Sequence, residues 1–89
     1  MSEDNHSWWL YVLECADGTL YAGIALDPAA RLQVHNAGRG SKYVRSRLPA
    51  RPLVQWKYPS QGDALRAELA FKAMKRADKL KAINGDTRP

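Results

Sequence analysis

The sequence has few cysteines, no long apolar runs and fewer acidic than basic residues, and each shortage narrows the protein class. The single cysteine, Cys15, excludes an internal disulfide and a zinc site made of several cysteines. Every apolar run is well short of the roughly 20 residues that a membrane-spanning helix needs. Residues 1–7 are polar and acidic, the reverse of the basic start of a signal peptide. We therefore expect a cytoplasmic protein that does not associate with membranes.

The length and the charge indicate a single small domain with an affinity for polyanions. The chain has 89 residues, which suffice for one core. We expect one domain over residues 8–85, a disordered tail at 1–7 and a C-terminal tail at 86–89. Fourteen Lys and Arg against nine Asp and Glu give a net charge of +5. This charge favours nucleic acid as a partner, although an inert basic surface would show the same excess.

The spacing of apolar residues and turn signals predicts an α+β fold. We expect a small three-stranded antiparallel sheet flanked by helices, in the order β-β-α-β-α-α. The strands should lie at residues 8–15, 19–25 and 53–58, and the helices at 28–37, 64–76 and 78–83. Residues 38–51 have the composition of a basic loop.

The turn between the first two strands decides whether Tyr11 and Tyr21 share a face of the sheet. A two-residue loop at residues 17–18 would place them on opposite faces. A three-residue loop over 16–18, with Gly18 in the left-handed region, pairs residue 11 with 23 and residue 13 with 21. We predict the three-residue loop, which puts both phenols on one face.

Capping signals predict the starts of two helices. Asp27 and Pro28 suit the N-cap and the first position of the first helix, whose core-facing stripe should consist of Ala30, Val34 and Ala37. Arg31 and His35 should stack beside that stripe, since they are four residues apart. Ser60 and Asp63 suit the start of the next helix, whose core-facing residues should be Ala64, Ala67, Phe71 and Met74.

Several polar residues in these elements suit phosphodiester chemistry, although each also has an ordinary structural explanation. Arg31 would bind phosphate oxygens, or lie on a solvated helix face. His35 would donate a hydrogen bond or move a proton, or be a plain surface or core histidine. Glu68 would hold Mg²⁺, or form an i,i+4 pair with Lys72. Strand tyrosines usually pack a core, and a phenol with a pKa near 10 is a poor base unless nearby cations lower that pKa.

The order of these residues along the chain, two tyrosines followed by Arg31, His35 and a late Glu68, resembles that of the GIY-YIG nuclease superfamily. The resemblance is strongest to its small stand-alone bacterial branch, the UPF0213 type. The resemblance rests on segments over nearly the whole chain: Trp9-Leu10-Tyr11 and Tyr21-Ala22-Gly23 at the two named motifs, Arg31 and His35-Asn36-Ala37-Gly38 on the helix and its following turn, and Ala64-Leu65-Arg66-Ala67-Glu68 on the later helix. The first motif departs from the pattern, since Trp-Leu precedes the tyrosine in place of Gly-Ile.

The resemblance implies a metal-dependent endonuclease that hydrolyses DNA with one Mg²⁺ or Mn²⁺ ion held by Glu68. Tyr21 would activate or position the water, with Tyr11 as its rival for that role. Arg31 would stabilise the charge that develops on the phosphate, and His35 would assist. These roles make up the predicted catalytic set: Tyr11, Tyr21, Arg31, His35 and Glu68.

Further basic residues are expected to bind the nucleic acid: Arg39, Lys42, Arg45, Arg47 and Lys72. Because a chain of this length has little room for a targeting domain, we expect low sequence specificity or selection of DNA structure, in repair or recombination. A protein partner would then supply the targeting. RNA stays open as a substrate, and we expect a monomer or a weak dimer.

Two other functions stay open at this stage. One is a DNA- or RNA-binding module that does not cleave its ligand, and the other is a protein-interaction domain that docks a partner through Trp8 and Trp56. Retention of the whole polar set favours the nuclease, because neither binding role requires it. Asn84 is most simply a helix C-cap.

Overall fold

Three strands and four helices make up the described part of the chain, residues 7–85 and 89, in the computed structural model. The elements are β1 (Trp8–Glu14), β2 (Leu20–Ala25), α1 (Pro28–Asn36), α2 (Lys42–Arg45), β3 (Arg51–Tyr58), α3 (Gln61–Ala73) and α4 (Arg76–Ile83). The strands form one antiparallel sheet in the order β2-β1-β3. The predicted fold class is thus confirmed.

The predicted tails fall mostly on residues 1–6 and 86–88, which lie outside the described residues. Two residues of the predicted tails are described. Ser7, the last residue of the N-terminal tail, is buried. The carbonyl of Pro89, in the C-terminal tail, accepts a hydrogen bond of 2.9 Å from the Tyr58 hydroxyl. Among the described helices, none combines the length and the apolar character that crossing a bilayer requires.

The β1–β2 hairpin has the predicted three-residue loop. Tyr11 pairs with Gly23 and Leu13 pairs with Tyr21. The Cys15 N–H donates to the Thr19 carbonyl at 2.9 Å, and Gly18 has a φ of 84°. A glycine adopts this left-handed conformation without a side-chain clash, so the loop closes in this register. Tyr11 and Tyr21 consequently lie on one face of the sheet.

Alternation along β1 divides the buried residues between two cores, one on each face of the sheet. Leu10 and Val12 pack with Phe71 under α3 and α4. Tyr11 and Leu13 pack on the opposite face, with Val44 of α2 among their neighbours. The face that carries the tyrosines is therefore covered by α1 and α2, and the other face by α3 and α4.

Helix α1 begins as predicted. The Asp27 carboxylate accepts a hydrogen bond of 3.1 Å from the Ala30 N–H, and Pro28 is the first helical residue. The following turn contains Gly38, whose φ of 79° ends the helix.

The predicted core stripe of α1 is wrong. Ala30 and Ala37 are exposed and Val34 is half-buried, whereas His35 is buried and Leu32 packs on the core. Helix α1 crosses the tyrosine-bearing face, where the Tyr11 hydroxyl and the buried imidazole of His35 are hydrogen-bonded to each other. Burial of a polar ring is then tolerated, because its desolvation is offset by that bond.

The basic stretch at residues 38–51 contains a helix that the sequence did not predict. Ser41 caps α2, since its Oγ accepts a hydrogen bond of 3.2 Å from the Val44 N–H. Val44 is fully buried and anchors this short, otherwise polar helix to the core. Strand β3 also begins before its predicted start and includes Pro52, which an edge strand tolerates beside the irregular pairing at residues 12–13 of β1.

Helix α3 begins at Gln61, before the predicted position, because Ser60 is its N-cap and accepts a hydrogen bond of 3.1 Å from the Asp63 N–H. The predicted core-facing residues are confirmed: Ala64, Ala67 and Phe71 are buried and Met74 is half-buried. Asn84 is the C-cap of α4, and Gly85 follows it with a φ of 94°.

Candidate functional site

A cleft of about 460 Å³ opens along β2, an edge strand of the sheet. Its lining includes the whole predicted catalytic set together with three residues that follow α1: Tyr11, Tyr21, Arg31, His35 and Glu68, then Arg39, Gly40 and Ser41. The tyrosines and His35 approach from the face covered by α1. Glu68 approaches from α3, which packs on the opposite face. The fold therefore joins five separated residues of the sequence at one strand edge.

Tyr11 and His35 form the buried wall of this cleft. The Tyr11 hydroxyl and the His35 Nε2 are hydrogen-bonded at 3.0 Å, and the two residues are only 5% and 2% exposed. Burial, followed by the neighbouring Tyr21 phenol, raises the pKa of Tyr11 above its ordinary value. Burial and then the Arg31 charge lower the pKa of His35. Both shifts favour the neutral form of the side chain.

Two glycines make room for the buried wall. A Cβ at Gly23 would lie 2.6 Å from the Tyr11 hydroxyl oxygen, and a Cβ at Gly40 would lie 2.1 Å from the His35 Nδ1. Both distances are too short for any real side chain, so only glycine fits unless the rings move. The glycine that ends the Tyr21-Ala22-Gly23 motif is thus explained by packing. It leaves space for the phenol of the first motif.

The backbone at Gly40 also closes off one edge of the imidazole. The His35 Nδ1 is buried and has no hydrogen-bond partner among the described residues. Only Nε2 of His35 makes a hydrogen bond there, and its partner is Tyr11. The sequence did not single out Gly40, and a glycine two residues after Gly38 in a basic loop gives no signal of this contact.

Tyr21 lies at the mouth of the cleft within a group of aromatic rings. Its ring centroid is 6.4 Å from that of Tyr11, 5.3 Å from His35 and 6.1 Å from Tyr43, on which it stacks. The Arg47 guanidinium covers the Tyr43 ring at 3.9 Å. Sequence reasoning missed Tyr43, although an aromatic residue between basic ones is a known signal of nucleic-acid binding.

Arg31 supplies an open positive charge to the cleft. Its side chain is exposed, and among the described residues it makes neither an ion pair nor a side-chain hydrogen bond. Its positive charge nevertheless acts on the buried wall, because it lowers the pKa of His35 and opposes the rise in the pKa of Tyr11. A guanidinium in this position is free to bind the oxygens of a phosphate.

Glu68 combines both of its predicted explanations. It lines the cleft with a side chain that is only 13% exposed, and it also forms the i,i+4 ion pair, with 3.3 Å between its Oε2 and the Lys72 Nζ. The pair joins the cleft to the outer surface of α3, where Lys72 is half in solvent.

The donor set of the cleft suits a hard divalent ion such as Mg²⁺ better than Zn²⁺. Glu68 is the one carboxylate among the described residues that line it. No group of three or more His, Cys, Asp and Glu side chains comes together in the described part of the chain. Zn²⁺ requires three or four such ligands, whereas Mg²⁺ keeps several waters and binds through one or two carboxylates and the substrate phosphates.

The predicted nucleic-acid-binding residues are in different situations. Arg39 lines the cleft, and Lys42 and Arg45 are exposed on α2. Arg47 is instead engaged within the protein: its guanidinium donates to the Asp17 carboxylate at 3.0 Å and also to the Tyr43 carbonyl. The roles of all these residues remain predictions.

A family model described as the GIY-YIG catalytic domain matches residues 7–82. The chain belongs to the GIY-YIG family. The matched range contains all five residues of the predicted catalytic set and nearly the whole span of the described elements.

Relatives named as UPF0213 proteins place the chain in the predicted UPF0213 branch. The UPF0213 protein of Cupriavidus pinatubonensis is 52% identical over 73 residues, 82% of this chain and 81% of the relative. That of Streptococcus sanguinis is 48% identical over 79 residues, 89% of this chain and 91% of the relative. The solution NMR structure of the UPF0213 protein from Bacillus halodurans has a TM-score of 0.58 at 36% identity, covering 88% of this chain and 83% of the other.

Proposed function

We propose that this protein is an endonuclease that hydrolyses DNA phosphodiester bonds with one divalent ion, Mg²⁺ or Mn²⁺. The observation that carries the proposal is the meeting of Tyr11, Tyr21, Arg31, His35 and Glu68 in one cleft. Phosphodiester hydrolysis needs an anion clamp, a group that handles the attacking water and a place for a cation. These side chains offer each of the three.

The buried wall formed by Tyr11 and His35 and the remaining lining residues, Tyr21, Arg31 and Glu68, support a division of roles. Arg31 binds the non-bridging oxygens of the scissile phosphate and stabilises the charge that develops there, since its guanidinium has no competing partner among the described residues. Glu68 would hold the divalent ion, which supplies further neutralisation of the phosphate charge when bound. For that to happen, the Lys72 ammonium has to move from the carboxylate.

Tyr21 is the better of the two tyrosines for handling the attacking water. The Tyr11 hydroxyl is buried, bonded to His35, and has a raised pKa, so it loses its proton less readily than an ordinary phenol. Tyr21 is half-buried at the mouth of the cleft. We therefore assign the water to Tyr21 and the support of the cleft wall to Tyr11 and His35.

The substrate and the process follow from the family resemblance and from the charge of the surface. Arg39, Lys42 and Arg45 lie beside the cleft or on the adjoining helix, where they would contact the phosphate backbone without reading bases. We accordingly propose low sequence specificity or selection of DNA structure, in DNA repair or recombination, in the cytoplasm. Targeting would come from a protein partner of the monomer or weak dimer.

Cleavage assays test the proposal directly. Purified protein is incubated with single-stranded, nicked, branched and duplex DNA, and with single-stranded RNA, in Mg²⁺, Mn²⁺ or chelator. Glu68→Gln should lower the cleavage rate by at least about 10²-fold. The control Asp78→Asn removes the same charge from the exposed start of α4 and should leave the rate unchanged.

A second measurement separates the metal site from catalysis. Mn²⁺ broadens the NMR signals of nuclei near it, so a site at Glu68 should broaden amides of α3 in the wild type and not in Glu68→Gln. DNA binding without cleavage of any substrate, unchanged by Glu68→Gln, would contradict the nuclease and favour a binding module on the same fold.

A further inference from the structure

A second concave site lies on β2 directly beside the cleft. This hollow has a volume of about 300 Å³ and is lined by Leu20, Tyr21, Ala22, Tyr43, Phe71, Lys72 and Lys79. Tyr21 belongs to both sites, so the hollow and the cleft are neighbours along one strand edge. The proposed roles of the catalytic set make no use of the hollow's floor or of Lys79.

The floor of the hollow is apolar and its rim is positively charged. Leu20, Ala22 and Phe71 belong to the core under α3 and α4, and they form the floor. The rim carries Lys72, which is ion-paired with Glu68, and Lys79, whose ammonium is 5.7 Å from the centre of the Phe71 ring. Lys79 has no ion pair within the described residues. A ligand that fits this site is flat or apolar on one side and anionic on the other.

We propose that the hollow binds one unpaired base of the nucleic-acid strand whose backbone occupies the cleft. The base would lie over the apolar floor between Tyr43 and α3, and its phosphate would face Lys72 and Lys79. Bases stack on aromatic side chains without regard to sequence, and lysines neutralise the adjoining phosphates. This inference deepens the proposed function, on which it rests, by naming the form of the substrate.

The spacing along β2 agrees with neighbouring nucleotides. The cleft is lined by β2 residues up to Ile24 and the hollow by β2 residues down to Leu20. At a rise of about 3.3 Å per strand residue, these two ends of β2 are roughly 13 Å apart along the strand. Such a separation is bridged by one or two nucleotides.

The base has to be unpaired for a geometric reason. In a duplex, each base is stacked on its neighbours and paired along its edge, so it reaches a recessed site only after it is extruded. A single strand, a flap or a frayed end presents bases without that cost. The hollow therefore favours substrates with unpaired nucleotides next to the scissile bond.

Binding measured in chelator tests the hollow without any need for cleavage. Fluorescence anisotropy compares an oligothymidine strand with an abasic strand of equal length and charge, at one fixed salt concentration. Wild-type protein should bind the strand with bases about tenfold more tightly, as stacking of a single base allows. Leu20→Trp, which fills the hollow, should remove this preference and leave the affinity for the abasic strand unchanged.

The rim is tested by a matched pair of charge reversals. Lys79→Glu should weaken binding of the oligothymidine strand more than Lys75→Glu, which makes the same change at an exposed position outside the hollow. Equal affinity of wild-type protein for the two strands, or equal losses in the two lysine variants, would overturn the proposal.

An NMR titration decides the matter if Leu20→Trp does not fold. Thymidine dinucleotide should shift the amide signals of Leu20, Ala22 and Phe71 in wild-type protein. Shifts with N-acetyl-leucine amide and none with the dinucleotide would assign the hollow to a protein side chain and overturn the inference. If the protein prefers the strand with bases but cleaves no substrate, the base site in the hollow is supported and the nuclease proposal is contradicted. If it cleaves DNA but shows no such preference, the nuclease proposal is supported and the base site is contradicted.

Discussion

Each wall of the cleft contains one tyrosine, but the two tyrosines differ in burial, and that difference separates support from chemistry. The buried wall consists of Tyr11 and His35, bonded to each other and nearly inaccessible. The open wall consists of the other three lining residues of the predicted set: exposed Arg31 and half-buried Tyr21 and Glu68. A phenol bound to an imidazole and desolvated resists ionisation. Burial thus gives Tyr11 a structural role beside His35 and leaves Tyr21 as the tyrosine for the chemistry.

The largest expected effect comes from comparing two single variants, each of which removes the tyrosine hydroxyl of one wall. Tyr21→Phe should lower the cleavage rate by about 10² to 10⁴-fold, the usual contribution of a positioned proton-transfer group. Tyr11→Phe should lower it less, and should instead reduce the free energy of unfolding by about 1–3 kcal/mol, because the buried imidazole loses its partner.

Single-turnover cleavage and urea unfolding of both variants measure these two losses side by side. Each variant serves as the other's control, because the substitution is the same on both walls. A Tyr11→Phe variant with unchanged stability and the greater loss of activity would reverse the assignment of the walls.

The next effect concerns the charge on the open wall. Arg31→Gln should lower the cleavage rate by about 10² to 10³-fold, the typical cost of removing one preorganised group that stabilises developing charge. Arg45→Gln, on the exposed surface of α2, loses the same charge outside the cleft and should change the rate far less.

Arg31→Gln also has a readout that does not depend on catalysis. Because the Arg31 charge lowers the pKa of His35, the pKa measured by NMR titration of the His35 ring should rise in this variant. The same pKa in both proteins would place the guanidinium too far from the buried wall to act on it.

Sequence reasoning predicted several elements of the fold correctly but did not predict which face of α1 is buried. The hairpin register, the caps at Asp27 and Ser60 and the core face of α3 depend on local signals, and all of them appear in the structure. The inward face of α1 does not depend on such a signal. Periodicity favoured the alanines, whereas the partner that makes burial of His35 tolerable lies on a strand distant in the sequence.

The same reason explains which parts of the site were missed. Gly40 matters because of its contact with the His35 ring, and Tyr43 because it stacks on Tyr21. Both lie in a stretch whose composition is that of a loop, and the short helix α2 depends on the burial of one residue, Val44. Contacts between segments of this kind leave no local pattern in a single sequence.

Two glycine substitutions should have smaller effects, which change the free energy of unfolding in opposite directions. Gly40→Ala puts a methyl group on the His35 ring, and overpacking of this kind costs about 1–3 kcal/mol of unfolding free energy. Gly62→Ala lies in the first turn of α3 with its nearest neighbour at 3.5 Å, and should raise stability by up to about 1 kcal/mol through helix propensity. Urea unfolding measures both, and a destabilised Gly62→Ala beside an unaffected Gly40→Ala would contradict the contact at His35.

The smallest expected effect is a pH dependence of stability that originates in the buried wall. Burial and the Arg31 charge hold the pKa of His35 below the ordinary value of 6.5, so the unfolded chain takes up a proton before the folded protein does. Stability from this residue is therefore complete above that value and is lost as the pH falls towards the pKa of the folded state. One proton limits the slope to about 1.4 kcal/mol per pH unit.

Urea unfolding of the wild type and of His35→Asn between about pH 8 and pH 5 isolates this term, because the carboxylates titrate identically in both proteins. The wild type should lose stability over this range, and the variant should be less stable at high pH but nearly flat. Arg31→Gln should reduce the wild-type slope, since less of the pKa shift remains. If the wild type and His35→Asn lost stability in parallel, the imidazole would exchange protons freely in the folded state. The wall formed by Tyr11 and His35 would then be as open as the wall opposite it.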